Sequence, residues 1–381
     1  MKAILVLEDG TVVEGKGFGS IGKARGEIVF ATGMSGYVES LTDPSYAGQT
    51  LMFTYPLIGN YGVNEEDYES DGIKVEGIVV REVCHRPSNW RSQKNLEEFA
   101  LEFQTPGICG IDTRRLTRKI RTHGTMKSVL QTFAGGEEVN LEALKREVRE
   151  QKGISELNLV GGVTTVGAKR VKSQESRVTG RGTPDSGLWT LDSRYEVVLV
   201  DCGAKRSITE NLLCRGINVT LLPFNTSAEE ILGYNPDAVL ISNGPGDPAV
   251  VKETIATVSK LIGKTVLYGI CLGQQIISLA LGARTYKLKF GHRGLNQPVK
   301  DFETGRVFIS TQNHGFAVAE EGLAEIGLEV THINLNDNTI EGLKHKELPI
   351  RMVQYHPEAG PGPHDTYSFF DSLMDDISRR H

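Results

Sequence analysis

The length, composition and charge of the chain limit its class before any motif is considered. With 381 residues, it is long enough for two domains that each bury a core. Charged residues make up 24% and hydrophobic residues 39%, as in ordinary globular proteins, and the net charge of −6 gives no indication of nucleic acid or a membrane as a partner. The five cysteines are scattered and lack a Cys-x-x-Cys pair, so we expect free thiols and neither a disulfide framework nor a metal site.

The first part of the chain, residues 1–163, is predicted to be a strand-rich α+β domain. It opens with MKAILVL and runs directly into Glu8-Asp9-Gly10, without a targeting pattern, so we expect a cytoplasmic protein. Short apolar segments, many of them alternating, are separated by glycine-rich turns, as is typical of strands. Helices are predicted at 96–103, 112–123 and 141–151.

Two glycine-rich stretches of this domain resemble nucleotide motifs, but each lacks an essential part. The stretch GFGSIG at 17–22 is followed by KARG, where a dinucleotide motif needs an apolar helix face. The stretch GTVVEGK at 10–16 is followed by Gly17 and not by the serine or threonine that would hold magnesium. We therefore expect no ATP site and no cofactor in this chain.

The predicted helix at 112–123 is strongly basic. It carries Arg114, Arg115, Arg118, Lys119 and Arg121. A solvated basic face is the usual meaning of such a helix, and a partner surface or an anion contact is the alternative.

The second part of the chain, residues 191–381, is predicted to be an α/β domain with a doubly wound, mainly parallel sheet. Between the two parts, residues 164–190 lose apolar periodicity and are predicted to be a linker. From residue 195 onward, buried strands alternate with helices, and a final helix carries an apolar stripe over 369–377 that we assign to packing. The segments around Asn243, Cys271 and His356 each follow a predicted strand, so one cleft at the strand ends can hold all three.

The stretch at 265–283 is interpreted as a strand that turns sharply at Cys271 into a helix. Small residues on both sides of such a turn expose the side chain, and the helix N-terminus favours a thiolate. An isolated cysteine in an apolar run is more often buried packing. The stretch is also about long enough to span a membrane, but Gln274 and Gln275 at its centre argue against a span.

A second segment, QYHPE at 354–358, follows an apolar strand and supplies a candidate base. A cysteine nucleophile needs a histidine within hydrogen-bond reach and a third group that orients the ring. His356 and Glu358 are two residues apart, which in an extended segment places both side chains on one face. A lone His-x-Glu is more often a solvated loop, but together with the cysteine turn it indicates a catalytic triad.

The motifs GICLGQ at 269–274 and HPE at 356–358 resemble those of the class I, triad-type glutamine amidotransferases. Further motifs resemble the small, glutamine-hydrolysing subunit of carbamoyl-phosphate synthase over almost the whole chain. They are LTDPSY at 41–46, TYPLIGN at 54–60, SNGPGDP at 242–248, KFGH at 289–292, QNHGF at 312–316 and PEAGPGPH at 357–364. Two positions depart from what we expect of the family: Gln274 stands where histidine is common, and Arg293 where a second histidine is common.

The resemblance implies a role for each site residue. Cys271 would attack the side-chain amide of L-glutamine, His356 would move protons and Glu358 would orient the ring. The backbone N–H of Leu272 and one from the loop at 244–246 would hold the oxyanion. The residues implied to bind glutamine are Ser45, Gly244, Gly246, Gln275, Asn313, Gly315 and Phe316.

The resemblance also implies a partner, a large subunit that uses ATP and magnesium and receives the ammonia to make carbamoyl phosphate. The first domain would then be mainly a docking surface. Three alternatives stay open: a glutaminase that serves another synthase, a non-catalytic interaction subunit, and a cysteine peptidase or other cysteine hydrolase on a related sheet.

Overall fold

The computed structural model describes residues 1–173 and 195–380, which form two compact units. Unit 1 comprises Met1–Leu159 and Leu288–Gly294, and unit 2 comprises Val160–Lys287 and Leu295–His381. The predicted linker at 164–190 lies mostly outside the described residues, and in its described part Lys169–Val171 form a strand of unit 2. Within the described ranges, none of the helices combines the length and the apolar character needed to cross a bilayer.

Unit 1 is rich in strands, as the alternating segments predict. Its elements are β1 (Lys2–Leu7), β2 (Val12–Gly19), β3 (Gly22–Ala31), α1 (Tyr37–Thr42), β4 (Gln49–Phe53), β5 (Leu57–Ile58), β6 (Gly77–Val79), β7 (Glu82–Val83), α2 (Leu96–Glu102), β8 (Pro106–Cys109), α3 (Thr113–His123), β9 (Met126–Phe133) and α4 (Leu141–Glu150). The three helices predicted at 96–103, 112–123 and 141–151 correspond to α2, α3 and α4.

Seven of these strands close into a barrel in the order β1-β2-β8-β6-β4-β3-β9, and β5 pairs with β7 separately. The alternation in β1 shows how the barrel is filled. Ala3, Leu5 and Leu7 pack in a core built from the other barrel strands, whereas Ile4 and Val6 pack against α4. Because successive side chains of a strand point to opposite faces, β1 can contribute to both cores. Barrel closure itself is not readable from the alternating pattern.

Helix α3 covers one part of this barrel core. The Asp112 side chain accepts a hydrogen bond from the Arg115 backbone N–H at 2.9 Å, which caps the first turn, and the chain leaves the helix at Gly124 with φ of 96°. Leu116 and Ile120, four residues apart, are buried in the core. The opposite face of α3 is left to the basic side chains.

Unit 2 alternates strands and helices before ending in a more antiparallel region. Its elements are β10 (Lys169–Val171), β11 (Tyr195–Asp201), α5 (Arg206–Leu213), β12 (Ile217–Pro223), α6 (Ala228–Gly233), β13 (Ala238–Ile241), α7 (Lys252–Leu261), β14 (Val266–Ile270), α8 (Leu272–Ala280), β15 (Thr285–Asp301, in which Leu288–Gly294 belong to unit 1), β16 (Val307–Val318), β17 (Leu328–Asn334), β18 (Ile340–His345), β19 (Ile350–Val353) and α9 (Ser368–Ser378).

The sheet of unit 2 has the order β10-β12-β11-β13-β14-β19-β18-β17-β15-β16. The five neighbouring strands from β12 to β19 are parallel, and β17, β18 and β10 pair antiparallel. The α/β class predicted from the sequence is therefore confirmed, with an antiparallel extension on one side.

Helices cover both faces of this sheet. In β11, Val198 and Val200 belong to one core with α6, α7 and α8, while Val197 and Leu199 belong to a second core with α5 and α9. The stripe of α9, which includes Phe370 and Leu373, lies in the second core, as the packing assignment predicts. A parallel strand that is buried on both faces reads as a continuous apolar run, which explains why these strands were visible in the sequence.

Candidate active site

Four neighbouring parallel strands deliver the candidate catalytic residues to one edge of the sheet. Lys205 follows β11, Gly244 follows β13, Cys271 follows β14 and His356 follows β19. Since all four strands run in the same direction, the residues after them meet at the carboxyl edge, where α/β sheets bind ligands.

Cys271 lies at the turn between β14 and α8 in a conformation that L-residues rarely adopt, with φ of 54° and ψ of −104°. Such strain costs about 1–3 kcal/mol and persists only when the surroundings hold it. Here the Cys271 N–H donates to the Val353 carbonyl at 2.8 Å, and the Cys271 carbonyl accepts from the Gln275 N–H at 3.3 Å. The thiol therefore sits at the N-terminus of α8 on a backbone fixed from both sides.

The two glycines of the Gly-x-Cys-x-Gly turn are required because the strand and the helix approach each other closely. A Cβ on Gly273 would lie 2.1 Å from the Ile241 carbonyl oxygen. A Cβ on Gly269 would lie 2.7 Å from the Gly273 carbonyl carbon. Both contacts are with backbone atoms, which cannot rotate away, so any larger residue would push α8 off the sheet.

His356 is held beside the cysteine turn by its backbone and by Glu358. Its N–H donates to the Thr311 carbonyl at 2.8 Å, and its ring Nδ1 lies 2.6 Å from Glu358 Oε1. The segment from Pro357 to Glu358 forms a turn, with the Ala359 N–H bonded to the His356 carbonyl at 3.2 Å. The prediction that this segment is extended was therefore wrong, and it is the turn that brings the carboxylate to the ring.

The second ring nitrogen of His356, Nε2, is the one that can exchange a proton with the substrate. Nε2 is buried, and among residues 1–173 and 195–380 no nitrogen or oxygen atom forms a hydrogen bond with it. The ring also interacts electrostatically with the Cys271 thiol. Thiol, ring and carboxylate thus follow one another in the order that a cysteine triad needs.

The charges of this array are coupled because all of it is buried. Burial lowers the pKa of His356, but Glu358 and Cys271 outweigh it and raise that pKa to about 10. Burial raises the pKa of Glu358, but Lys205 and His356 outweigh it and hold that pKa at about 2. At neutral pH the ring therefore carries a proton and Glu358 is ionised.

Lys205 is the member of the site that the sequence analysis missed. Its Nζ donates to Glu358 Oε1 at 3.0 Å and to the Ala359 carbonyl at 2.6 Å, and the residue is only 2% exposed. Its one signal in the sequence is its place in a CGAK stretch just after a predicted strand, at the edge where the other site residues lie. A fully buried lysine needs such a partner, because an unpaired ammonium would lose its hydration.

We expect Lys205→Met to lower the free energy of unfolding by about 3 kcal/mol, because it leaves the Glu358 carboxylate buried beside a single cation. The double variant Lys205→Met/Glu358→Gln removes both charges and should be more stable than the sum of the two single changes predicts. Lys252→Met, at an exposed lysine of α7, is the control and should change stability by less than about 0.5 kcal/mol. Urea unfolding of the parent, the two single variants, the double variant and the Lys252→Met control measures this, and additive single and double changes would contradict the coupling.

The predicted glutamine-binding residues of α8 and β16 form a connected group around Cys271. The Gln275 side chain donates to the Phe316 carbonyl at 2.8 Å and to Gln354 Oε1 at 2.9 Å. The thiol lies 3.7 Å from the Asn313 carbonyl oxygen and 3.6 Å from Gln354 Nε2. Gly315 lies between Asn313 and Phe316 in β16. Gln354 is a second residue that the sequence analysis left without a role.

The loop after β13 contains the two glycines expected near the oxyanion. A Cβ on Gly244 would lie 2.1 Å from the Cys202 carbonyl oxygen and 2.8 Å from Leu272 Cδ2, so only glycine fits. Gly246 has φ of 88°, in the left-handed region that glycine adopts readily. Leu272 is the first residue of α8, and its N–H is one of the helix donors without an intrahelical acceptor.

The remaining predicted residue, Ser45, lies in unit 1. It is buried, and its N–H donates to Asp43 Oδ1 at 2.9 Å at the start of a short helical turn. The two departures are also buried. The Arg293 guanidinium donates to the Phe290 carbonyl at 2.6 Å, and the Gln274 amide has no hydrogen-bond partner within the described part of the chain.

Comparisons with known proteins give matches in both parts of the chain. The family model for the carbamoyl-phosphate synthase small chain, CPSase domain, matches residues 5–130, and the class-I glutamine amidotransferase model matches residues 198–375. A carbamoyl phosphate synthase small chain from Archaeoglobus fulgidus is 58% identical over 375 residues, which cover 98% of each chain.

Two further relatives carry the same description. One from Methanocaldococcus jannaschii is 50% identical over 374 residues, covering 98% of each chain. One from Bacillus cereus is 48% identical over 375 residues, covering 98% of this chain and 95% of the relative. With this similarity over nearly its whole length, the chain belongs to the carbamoyl-phosphate synthase small chain family and contains a class I glutamine amidotransferase domain.

Proposed function

We propose that this protein is the glutaminase subunit of a carbamoyl-phosphate synthase. It hydrolyses L-glutamine to glutamate and ammonia through a thioester on Cys271. The ammonia passes to a large subunit that uses ATP and magnesium to make carbamoyl phosphate from bicarbonate, for arginine and pyrimidine biosynthesis. The observation that carries the proposal is the buried array of Cys271, His356 and Glu358 at the carboxyl edge of the sheet.

The first half of the reaction uses the protonated ring of His356. Cys271 Sγ attacks the side-chain carbonyl carbon of glutamine, and the carbonyl oxygen becomes an oxyanion. The Leu272 N–H and an N–H of the loop at 244–246 stabilise this charge. His356 Nε2 then gives its proton to the departing nitrogen, the C–N bond breaks, and ammonia leaves behind a glutamyl thioester.

The second half regenerates the enzyme. The ring of His356, now neutral, takes a proton from a water molecule as that water attacks the thioester carbon. The C–S bond breaks, and glutamate leaves as the thiolate of Cys271 is restored. Glu358 holds Nδ1 throughout, so that Nε2 always faces the reacting atoms.

The substrate is proposed to bind through Gly244, Gly246, Gln275, Asn313, Gly315 and Phe316. Gln275 Nε2 also donates to the Phe316 carbonyl at 2.8 Å, so the same side chain holds β16 beside α8.

A glutamine-mimicking electrophile tests the proposal directly. We expect it to inactivate glutamate release with one label on Cys271, and glutamine to slow the labelling. Three other thiols provide an internal control, because desolvation raises the pKa of the buried Cys202 and of the partly buried Cys109 and Cys214 and leaves them poorly reactive. Peptide mapping after labelling measures this, and a label elsewhere, or no protection by glutamine, would argue for another cysteine hydrolase.

The alternative of a glutaminase for another synthase is less well supported. The first part of the chain matches the small-chain domain model of carbamoyl-phosphate synthase over residues 5–130. This match favours carbamoyl-phosphate synthase over another synthase as the complex that the chain serves.

A further inference from the structure

The exposed face of α3 in unit 1 carries four arginines that the proposed glutaminase chemistry does not use. Arg114, Arg115, Arg118 and Arg121 are all exposed, while Leu116 on the opposite face is buried. All four arginines therefore lie on the solvent side of the helix, with Arg114, Arg118 and Arg121 in one row and Arg115 beside it.

None of these four guanidinium groups forms an ion pair within residues 1–173 and 195–380. Their neighbour Lys119 does have a partner, Asp9, at 2.5 Å. Several arginines elsewhere in the described ranges also have partners. Examples are Arg25 with Glu147, Arg91 with Asp67 and Arg351 with Glu303. In a protein whose net charge is −6, four adjacent arginines without a carboxylate are a local excess of positive charge.

Helix stability does not account for this arrangement. The first turn of α3 contains Arg114 and Arg115 and no acidic residue, although the positive end of the helix dipole favours carboxylates there. Arg114 and Arg118 are four residues apart and Arg118 and Arg121 are three apart, so like charges lie side by side on one face. Residues that oppose local stability in this way are typical of binding surfaces.

The arginines also line a groove. An open cavity of about 560 Å³ runs between α3 and the start of β2, with Arg114, Arg115 and Arg118 on one side and Thr11–Val13 on the other. Its lining contains one carboxylate, Asp112, which caps α3 and accepts the Arg115 N–H. The groove thus has arginine side chains along one side and the apolar residues Val12 and Val13 along the other.

We propose that this arginine face, defined as Arg114, Arg115, Arg118 and Arg121 with the adjoining groove, docks an acidic surface of the large subunit. The inference rests on the proposed function, which supplies the partner. Guanidinium groups bind carboxylates through paired N–H donors in a fixed geometry, so each arginine selects an aspartate or glutamate side chain.

The length of the face favours a protein surface over a single small anion. From Arg114 to Arg121 the helix rises about 10 Å, so the four side chains leave the helix at positions spread along its axis. Arg121 lies outside the groove lining, so the charged face extends beyond the cavity. A phosphate-sized ligand would leave some of the arginines without a partner.

The test compares two matched charge reversals. Arg115→Glu/Arg118→Glu alters two exposed arginines three residues apart on α3. Arg146→Glu/Arg149→Glu alters two exposed arginines with the same spacing on α4 of the same unit. We expect the α3 variant to bind the purified large subunit about 30-fold more weakly at low salt and to show a shallower salt dependence. The α4 variant should stay within about threefold of the parent.

The measurements separate this inference from the proposed function. Titration calorimetry at low and moderate salt gives the affinities, and glutamate release by the isolated chain checks that each variant is folded. If the parent binds and supplies ammonia but the α3 variant binds equally well, the docking inference is wrong and the proposed function stands. Tripolyphosphate binding that only the α3 variant loses, with unchanged subunit affinity, would assign the face to a small polyanion instead. A parent chain that does not bind the large subunit would overturn the proposed function itself.

Discussion

Replacing Cys271 with serine is expected to abolish glutamine-dependent synthesis of carbamoyl phosphate by the complex, with a loss of at least about 10³-fold. A serine hydroxyl in this position is a far weaker nucleophile than a thiolate, because it stays protonated at neutral pH. Synthesis from added ammonia should be unchanged, because ammonia bypasses the glutaminase step. The two rates measured on the same purified complex give the comparison.

Cys214→Ser is the matched control for this prediction. Cys214 lies at the end of α5 in the same unit, and its thiol donates to the Asn211 carbonyl at 3.2 Å, a bond that a serine can replace. Both activities should survive in that variant. If Cys271→Ser lost both activities together, the cysteine would be structural, and if it kept glutamine-dependent synthesis, Cys271 would not be the nucleophile.

Replacing His356 with asparagine is expected to lower the kcat of glutamate release by about 10³-fold, with a smaller effect on KM. The ring is the group that can give a proton to the departing nitrogen and later take one from water, since its Nε2 is buried and no nitrogen or oxygen atom in the described ranges forms a hydrogen bond with it. Asparagine can adopt the backbone conformation of residue 356, but its amide cannot take up and release the proton that the imidazole ring transfers. Steady-state kinetics with glutamine measure the two constants.

Two further measurements make this second prediction specific. His85→Asn changes an exposed histidine of unit 1 that pairs with Glu97, and it should leave kcat within about twofold of the parent. Ammonia-dependent synthesis by the His356→Asn complex should also be preserved. A His356→Asn chain with normal kcat would remove the ring from the proposed mechanism and leave the thiol to act with another base.

The sequence predicted those strands and helices whose buried residues recur in a regular apolar pattern. The strands before Ser242 and Cys271 are buried on both faces and appear as continuous apolar runs. Helix α3 could be predicted because its buried Leu116 and Ile120 have helical spacing. Closure of the unit 1 barrel and the antiparallel extension of the unit 2 sheet depend on pairings between distant strands, which leave no mark in any single segment.

The candidate site likewise contains residues that the sequence alone identifies and residues that it does not. Cys271 and its flanking glycines could be identified from the sequence, because a strand, a tight turn and a helix N-terminus are determined by adjacent residues. Lys205 could not be identified in this way. Its role depends on a contact with Glu358, 153 positions further along the chain, and a lysine in a loop is otherwise usually exposed to solvent.

By itself, the sequence determined the nucleophile turn and the α/β class of unit 2, since local sterics and hydrophobic periodicity fix both. It identified His356 and Glu358 as candidates, but not the turn that joins their side chains. Only the tertiary structure decided which charged side chains lie close to one another and which of them are buried. It placed a lysine on the triad carboxylate, and it left four arginines of α3 with no carboxylate partner among the residues it describes. The reason is physical: electrostatic energy depends on distance and solvation, and a linear sequence specifies neither of these until the chain has folded.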